Sequence, residues 1–188
     1  MEHLGRTIAI GVAGFVLTVV LVAGAAAGGL ADALTGSFGG TASASPTTIP
    51  PAYLTAYIAA SASCPRLSWS VLAAIGTVES DNGTSTAPGV QSGANSAGAE
   101  GPMQFEPATF TEYAQPVPPG GAVPPSPYDA VEAIYAAARL LCANGASGGV
   151  NLTAAVYAYN HSASYVAEVL ELANAYASEG VPSGVTGP

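Results

Sequence analysis

From Ile8 to Leu30 the chain carries no charged residue (IAIGVAGFVLTVVLVAGAAAGGL). At about 1.5 Å of rise per residue, a helix of this length crosses a hydrocarbon core of ~30 Å. The polar face that a surface helix of a globular domain would need is missing. Arg6 precedes the run and no Lys or Arg follows closely, so residues 1–7 are expected on the cytoplasmic side. A cleaved secretory signal is the competing reading, with small residues for a cut at 23–27 (AGAAA) or 31–33 (ADA). Apolar cores of such signals run to about 7–15 residues, so the length favours an uncleaved anchor over 8–30. On either reading the rest of the chain lies outside the cytoplasm, held at a cell membrane by a single pass if the anchor stays.

Charge is scarce in the remainder. The chain of 188 residues has 3 Lys and Arg against 12 Asp and Glu, a net charge of −9. Phosphate neutralisation needs clustered cations, so nucleic acid is excluded as a partner. Two cysteines, Cys64 and Cys142, are expected to pair outside the cytoplasm; two free buried thiols are the alternative. Two Cys and two scattered His are too few for a metal site.

Residues 31–50 (ADALTGSFGGTASASPTTIP) are Gly, Ser, Thr and Pro without periodicity and read as a flexible tether. Residues 179–188 read as a loose tail. The stretch 51–178 is the part with a core, and it reads as all-α, with no convincing strand. Pro50 and Pro51 open a helix to about Ser61. Ser68 caps a second over 69–80. Pro107 opens a short third. A Pro/Gly loop follows at 115–127 (QPVPPGGAVPPSP), which can be neither helix nor central strand. Ser126 and Pro127 look like a cap and a first helical residue, with Asp129 and Glu132 in the first turn and Asn144-Gly145 as the stop. Asn151 caps 152–160. Ser162 caps a last helix whose Tyr165, Val166, Val169, Leu170, Ala173 and Tyr176 recur at i, i+3, i+4 spacing.

Glu79 is out of place in this pattern. The buried face of the second helix runs through Leu72, Ala73, Ile75 and Gly76, and seven positions after Leu72 it reaches Glu79. Burial and the negative end of the helix dipole both favour the protonated carboxyl. A carboxyl held neutral near pH 7 is what a general acid requires. An ordinary solvated Glu at a frayed helix end is the plain alternative.

Three segments in order carry a family resemblance: 79-ES-80, 96-SAGAEGPMQFEPAT-109, and 155-AVYAYN-160 followed by 165-YV-166. They are similar to the Glu-Ser, Ser-x-x-Gly-Ala-x-Gly-Leu-Met-Gln and Ala-Tyr-Asn motifs of the lytic transglycosylases with a soluble-lytic-transglycosylase (SLT), goose-lysozyme-like domain. Together they span essentially all of 51–178. Pro102 stands where Leu is usual, His161-Ser162 follows the Asn, and 81–95 (DNGTSTAPGVQSGAN) is a polar insertion.

The resemblance implies a lysozyme-like helical fold, peptidoglycan glycan strands as substrate and no cofactor. It makes Glu79 the catalytic acid, and Ser80, Ser96, Gly101, Met103, Gln104, Tyr159, Asn160 and Tyr165 the substrate-binding set. Gln104 would bond a sugar and Met103 pack beneath it, unless Met103 is simply core. Tyr159 would reach the catalytic carboxyl and Asn160 an N-acetyl group. Tyr157 reads as core, Tyr165 as groove wall or packing, and His161 as a helix-end surface residue. Glu100 is the carboxylate that would turn the chemistry toward lysozyme-like hydrolysis, were it to face the groove. A tethered domain of this size would act locally, during wall growth or division or beside an envelope-spanning apparatus.

Overall fold

A computed structural model describes residues 48–182. The expected membrane anchor, the cytoplasmic N-terminus, most of the tether and the last residues of the tail lie outside the described residues. No helix among the described residues is long and apolar enough to cross a membrane.

Six α-helices form among the described residues: α1 Pro51–Ser61, α2 Trp69–Ser80, α3 Pro107–Tyr113, α4 Ala130–Leu141, α5 Leu152–Asn160 and α6 Ala163–Glu179. No strand forms among the described residues; Glu100 and Phe105 make a single antiparallel bridge. The start signals act as their chemistry requires. Ser68 accepts from Ser70 N–H, Asn151 from Ala154 N–H and Ser162 from Tyr165 N–H, each satisfying one orphan donor of a first turn.

Two boundaries differ from expectation. Asp129, not Ser126, caps α4, its carboxylate accepting from Glu132 N–H at 2.9 Å. Ser126 and Pro127 instead form the turn before it, with Ser126 Oγ accepting from Tyr128 N–H. At the far end, Asn144-Gly145 does not stop the chain cleanly. α4 runs on into a π turn over Cys142–Ala146 and a 3-10 turn over Ser147–Gly149, and Gly145 supplies a φ of 113°.

α2 packs against α6 and α1, α1 against α4, and α5 against α6 and α4. Tyr57, Leu72, Ile75, Met103, Ile134, Leu141, Val156, Val169 and Tyr176 are fully buried between them. Apolar faces of five helices therefore close on one core, with α2 buried through most of its length. Cys64 and Cys142 are disulfide-bonded with Cα atoms 5.7 Å apart, joining the end of α1 to the end of α4 across 78 residues of sequence. In the chain-entropy account, closing a loop of that size contributes about 4 kcal/mol.

Gly76 makes one close approach possible. A Cβ there would lie 1.9 Å from the Tyr57 hydroxyl. That hydroxyl donates to Asn82 Oδ1 at 2.9 Å, Asn82 Nδ2 donates to Thr77 Oγ1 at 3.0 Å, and Thr77 and Tyr176 share a hydroxyl bond of 2.9 Å. This network is tied to the C-terminal turn of α2, where Asp81 takes a left-handed φ of 51°. Asp81 N–H bonds Thr77 C=O and Asn82 N–H bonds Gly76 C=O, both at 2.9 Å, so the orphan carbonyls of the helix end are satisfied.

Candidate active site

Glu79 lies in that last turn of α2, half-buried. Tyr165 of α6 donates its hydroxyl to Glu79 Oε1 at 2.6 Å. Burial raises the Glu79 carboxyl to about 7; the Tyr165 bond opposes the rise and the nearby charge of Glu168 adds to it. Burial disfavours the carboxylate, whereas the hydroxyl donor stabilises it. At neutral pH Glu79 is therefore divided between acid and base forms, the condition for giving a proton and then taking one.

The partner is not the residue the motif reading expected. Tyr159 does not reach the carboxyl; its hydroxyl donates to Met103 C=O at 2.8 Å. Tyr159 and Tyr165 stack with rings 6.4 Å apart and 3° from parallel. Burial first, and Glu79's charge second, push both phenols well above their ordinary range, so Tyr165 stays a hydrogen-bond donor at any pH where Glu79 titrates.

Ser80 also serves the loop. It is buried; its Oγ donates to Pro102 C=O and accepts from Gly83 N–H at 2.7 Å. Ser80 and Tyr159 thus hold two consecutive carbonyls of the segment 100–105, one from each side. That segment is a tight hairpin closed by Glu100 N–H to Phe105 C=O and Phe105 N–H to Glu100 C=O, both 2.9 Å. Gly101 is obligatory at its turn: φ is +76° and a Cβ would lie 1.7 Å from Pro127 C=O. Pro102 is buried here, at a place where its missing N–H costs nothing in the hairpin's own bonds.

The side chains of the hairpin correct two further expectations. Met103 is fully buried, so it is core and does not underlie a sugar. Gln104, at a φ of 48°, spends its amide on the loop itself: Nε2 donates to Gly101 C=O at 2.7 Å, and Oε1 accepts from Asn95 Nδ2 at 2.9 Å. Asn95 in turn accepts from Ala97 and Ala99 N–H. One amide hydrogen of Gln104 remains for a ligand. The insertion 81–95 is folded onto this hairpin through Gly101 N–H to Gly89 C=O at 2.7 Å.

Asn160 ends α5, half-buried and next to Tyr159, without a hydrogen bond to its side chain from the described residues. Ser96 is exposed on the loop. Tyr157, expected in the core, is 47% exposed and meets the His161 ring edge-on at 5.7 Å. Phe105 is core, its ring edge-on to Tyr159 at 5.7 Å.

Sequence reasoning missed Glu168. It is exposed, one turn after Tyr165 on α6, and its charge acts on Glu79. The i, i+3 spacing from Tyr165 is the signal that could have found it. Glu100, the carboxylate suspected of sharing the groove, is not among the groups that shift Glu79. It lines a separate hollow between α3 and the loop 115–127. Among the described residues no group of three or more His, Cys, Asp or Glu is placed to hold a metal ion.

Neither curated proteins nor solved structures provide a match to the chain. The family model for the transglycosylase SLT domain does match, over residues 56–180, from the middle of α1 to Gly180, the residue after α6. A helical domain without strands, an acid-poised Glu-Ser at the end of α2, the Met-Gln hairpin and the Tyr-Asn helix end all fall inside that span, and the chain belongs to the SLT transglycosylase domain family.

Proposed function

We propose that the protein is a peptidoglycan lytic transglycosylase that cleaves the bond between N-acetylmuramic acid and N-acetylglucosamine. The observation that supports it best is Glu79 itself: half-buried, bonded by Tyr165, and raised to about 7. In the first half-reaction Glu79 donates its proton to the glycosidic oxygen, and the bond from that oxygen to the anomeric carbon of the muramoyl sugar breaks. In the second, the Glu79 carboxylate takes the proton of the muramoyl C6 hydroxyl. That oxygen then bonds the anomeric carbon, closing a 1,6-anhydro ring and restoring the acid. One group does both jobs and no water enters, so the second carboxylate of a hydrolase is not required. Tyr165 stabilises the carboxylate that forms between the halves. Asn160, whose side chain has no hydrogen bond from the described residues, is the group offered to an N-acetyl substituent.

The uncharged run 8–30 supports a membrane tether outside the cytoplasm, with the domain opening wall next to its own membrane during growth or division or for an envelope-spanning assembly.

Mass analysis of strands digested by the oxidised protein tests the reaction. Products ending in the anhydro sugar, one water lighter than hydrolytic ones, are expected. Free reducing ends would make it a muramidase, and strand binding without any product would make it a glycan-binding member of the fold.

A further inference from the structure

Glu79 stands in the last turn of a helix, where fraying is the rule. A reacting group placed there needs its backbone held as well as its carboxyl. Tyr165 holds the carboxyl, and Ser80 is engaged on the hairpin. The turn itself is held by Asn82, a polar residue only 3% exposed.

The turn is costly to keep. Asp81, Asn82 and Gly83 take left-handed φ of 51°, 53° and 75° in succession, and of these glycine alone does so without a steric penalty. Asn82 offsets the cost with bonds to three helices. Its Oδ1 accepts from the Tyr57 hydroxyl of α1 at 2.9 Å, and its Nδ2 donates to Thr77 Oγ1 of α2 at 3.0 Å. The amide also lies against the Tyr176 hydroxyl of α6. Its N–H bonds Gly76 C=O at 2.9 Å. A buried network satisfied in this way fixes one geometry. The titratable groups that face the Glu79 carboxyl are different ones, Tyr165 and Glu168 of α6 and Tyr159 of α5. Yet both sets share two helices. α6 supplies Tyr176 to the junction and, about three turns earlier, Tyr165 to the acid. α2 supplies Thr77 and Glu79 from its last turn. Locking Thr77 to Tyr176 therefore sets how Glu79 meets Tyr165.

We propose that Asn82 is a positioning residue for the acid: by tying the left-handed turn to α1 and α6, it limits the access of Glu79 to water and keeps its carboxyl on the Tyr165 hydroxyl. The inference rests on the lytic reading for its effect on turnover, but not for its effect on the carboxyl.

The test uses the full chain, oxidised, in mild detergent, with isotope label at the glutamate carboxyls. The titration midpoint of Glu79 is followed by NMR, its signal identified by its loss in Glu79→Gln. Asn82→Gly is the variant of choice, because glycine keeps the left-handed φ and removes only the amide. The midpoint is expected to fall from about 7 toward the ordinary 4.5, by at least about one pH unit, as a loosened turn gives the carboxyl to water. The sign is diagnostic, since losing the Tyr165 bond alone would raise it. An unmoved or raised midpoint, however much urea stability is lost, would overturn the proposal. Tyr57→Phe leaves Asn82 in place and deletes one of its bonds, so it should lower the midpoint by less. Should Asn82→Gly not fold, Tyr57→Phe decides, and no fall there overturns the proposal equally. Strand cleavage is scored separately. In Asn82→Gly kcat should drop about tenfold to a hundredfold with KM little changed, and the alkaline limb should move down with the midpoint. A falling midpoint in a protein that cleaves no strand would leave the positioning role standing and remove the lytic reading. Cleavage with the midpoint unmoved would do the reverse.

Discussion

Glu79 and Glu132 are both carboxyls taken from water, and they have opposite fates. Glu132 opens α4, is fully buried, and has no hydrogen-bond partner on either carboxyl oxygen. Gly121 of the proline-rich loop lies directly over it; a Cβ there would fall 2.3 Å from Glu132 Oε1. Burial raises its carboxyl, Arg139 pulls it back, and Asp129 adds to the rise. Glu79 has a donor from α6 and an open side. Both are acids made reluctant to ionise, but only Glu79 has a hydroxyl ready for the charge once it appears. Burial alone makes a neutral carboxyl. A neutral carboxyl with a preset partner and access for a ligand makes a proton donor that can also recover its proton.

The contrast is sharpest when each carboxyl is removed. Glu79→Gln is expected to lower cleavage by more than about a thousandfold, whereas Glu132→Gln should change it by less than about threefold; comparable losses would end the distinction. The same Glu79 variant should alter stability in a pH-dependent way. The folded carboxyl holds its proton to about 7 against an ordinary value of 4.5, so the unfolded chain releases its proton first. Native stability therefore falls as pH rises through that window. Above it Glu79→Gln should be more stable than the natural protein by about 1–3 kcal/mol, the partial exposure of the group keeping it below the full shift. Below pH 4.5 the two should unfold alike in urea.

Tyr165→Phe removes the donor and leaves the ring. Turnover should fall about tenfold to a hundredfold. Because the hydroxyl holds the Glu79 carboxyl down, the alkaline limb of the pH profile should move up; an unmoved limb would show that the bond does not act on the carboxyl. Glu132→Met keeps volume and deletes two unpartnered oxygens. It should raise stability by about 1–2 kcal/mol, with the gain larger at higher pH as the native carboxyl is forced to ionise. A loss would reveal a partner for Glu132. The smallest effect belongs to Glu168→Gln. The limb of Glu79 should drop by a few tenths of a pH unit at low salt and by nothing resolvable at high salt, since Glu168 is exposed.

Most of the helical frame was readable because caps and apolar spacing are local. Ser68, Asn151 and Ser162 each bond a backbone donor two or three residues ahead, and no distant contact competes. The start of α4 was misread because Ser126-Pro127 and Asp129 are both sound caps; the choice falls to Pro127, whose carbonyl has to meet Gly101. The three site segments were legible as a set, but their division of labour was not. Which tyrosine meets Glu79 depends on how α6 lies against α2, and no local rule contains that. Met103 and Gln104 read as ligand contacts because a Met-Gln pair between glycines has no helical or strand face to join. Hairpin closure sends the Met into the core and turns the Gln back on its own loop. Glu132 shows the same limit in reverse. Its first-turn place suited the helix dipole, and nothing nearby in sequence announced that a loop would seal it.

Gly76 bears on any effort to make this protein more robust. Three residues ahead of the acid, it sits inside a helix where alanine is ordinarily preferred by about 1 kcal/mol, and a propensity-guided redesign would replace it first. The methyl group would land on the Tyr57 oxygen. Tyr57 would then have to withdraw, Asn82 would lose its donor, and the left-handed turn that ends α2 would lose its brace. The apparent weak point of α2 is a socket for a neighbouring ring, and thermostabilisation should start on exposed helix positions such as Glu171 of α6 instead.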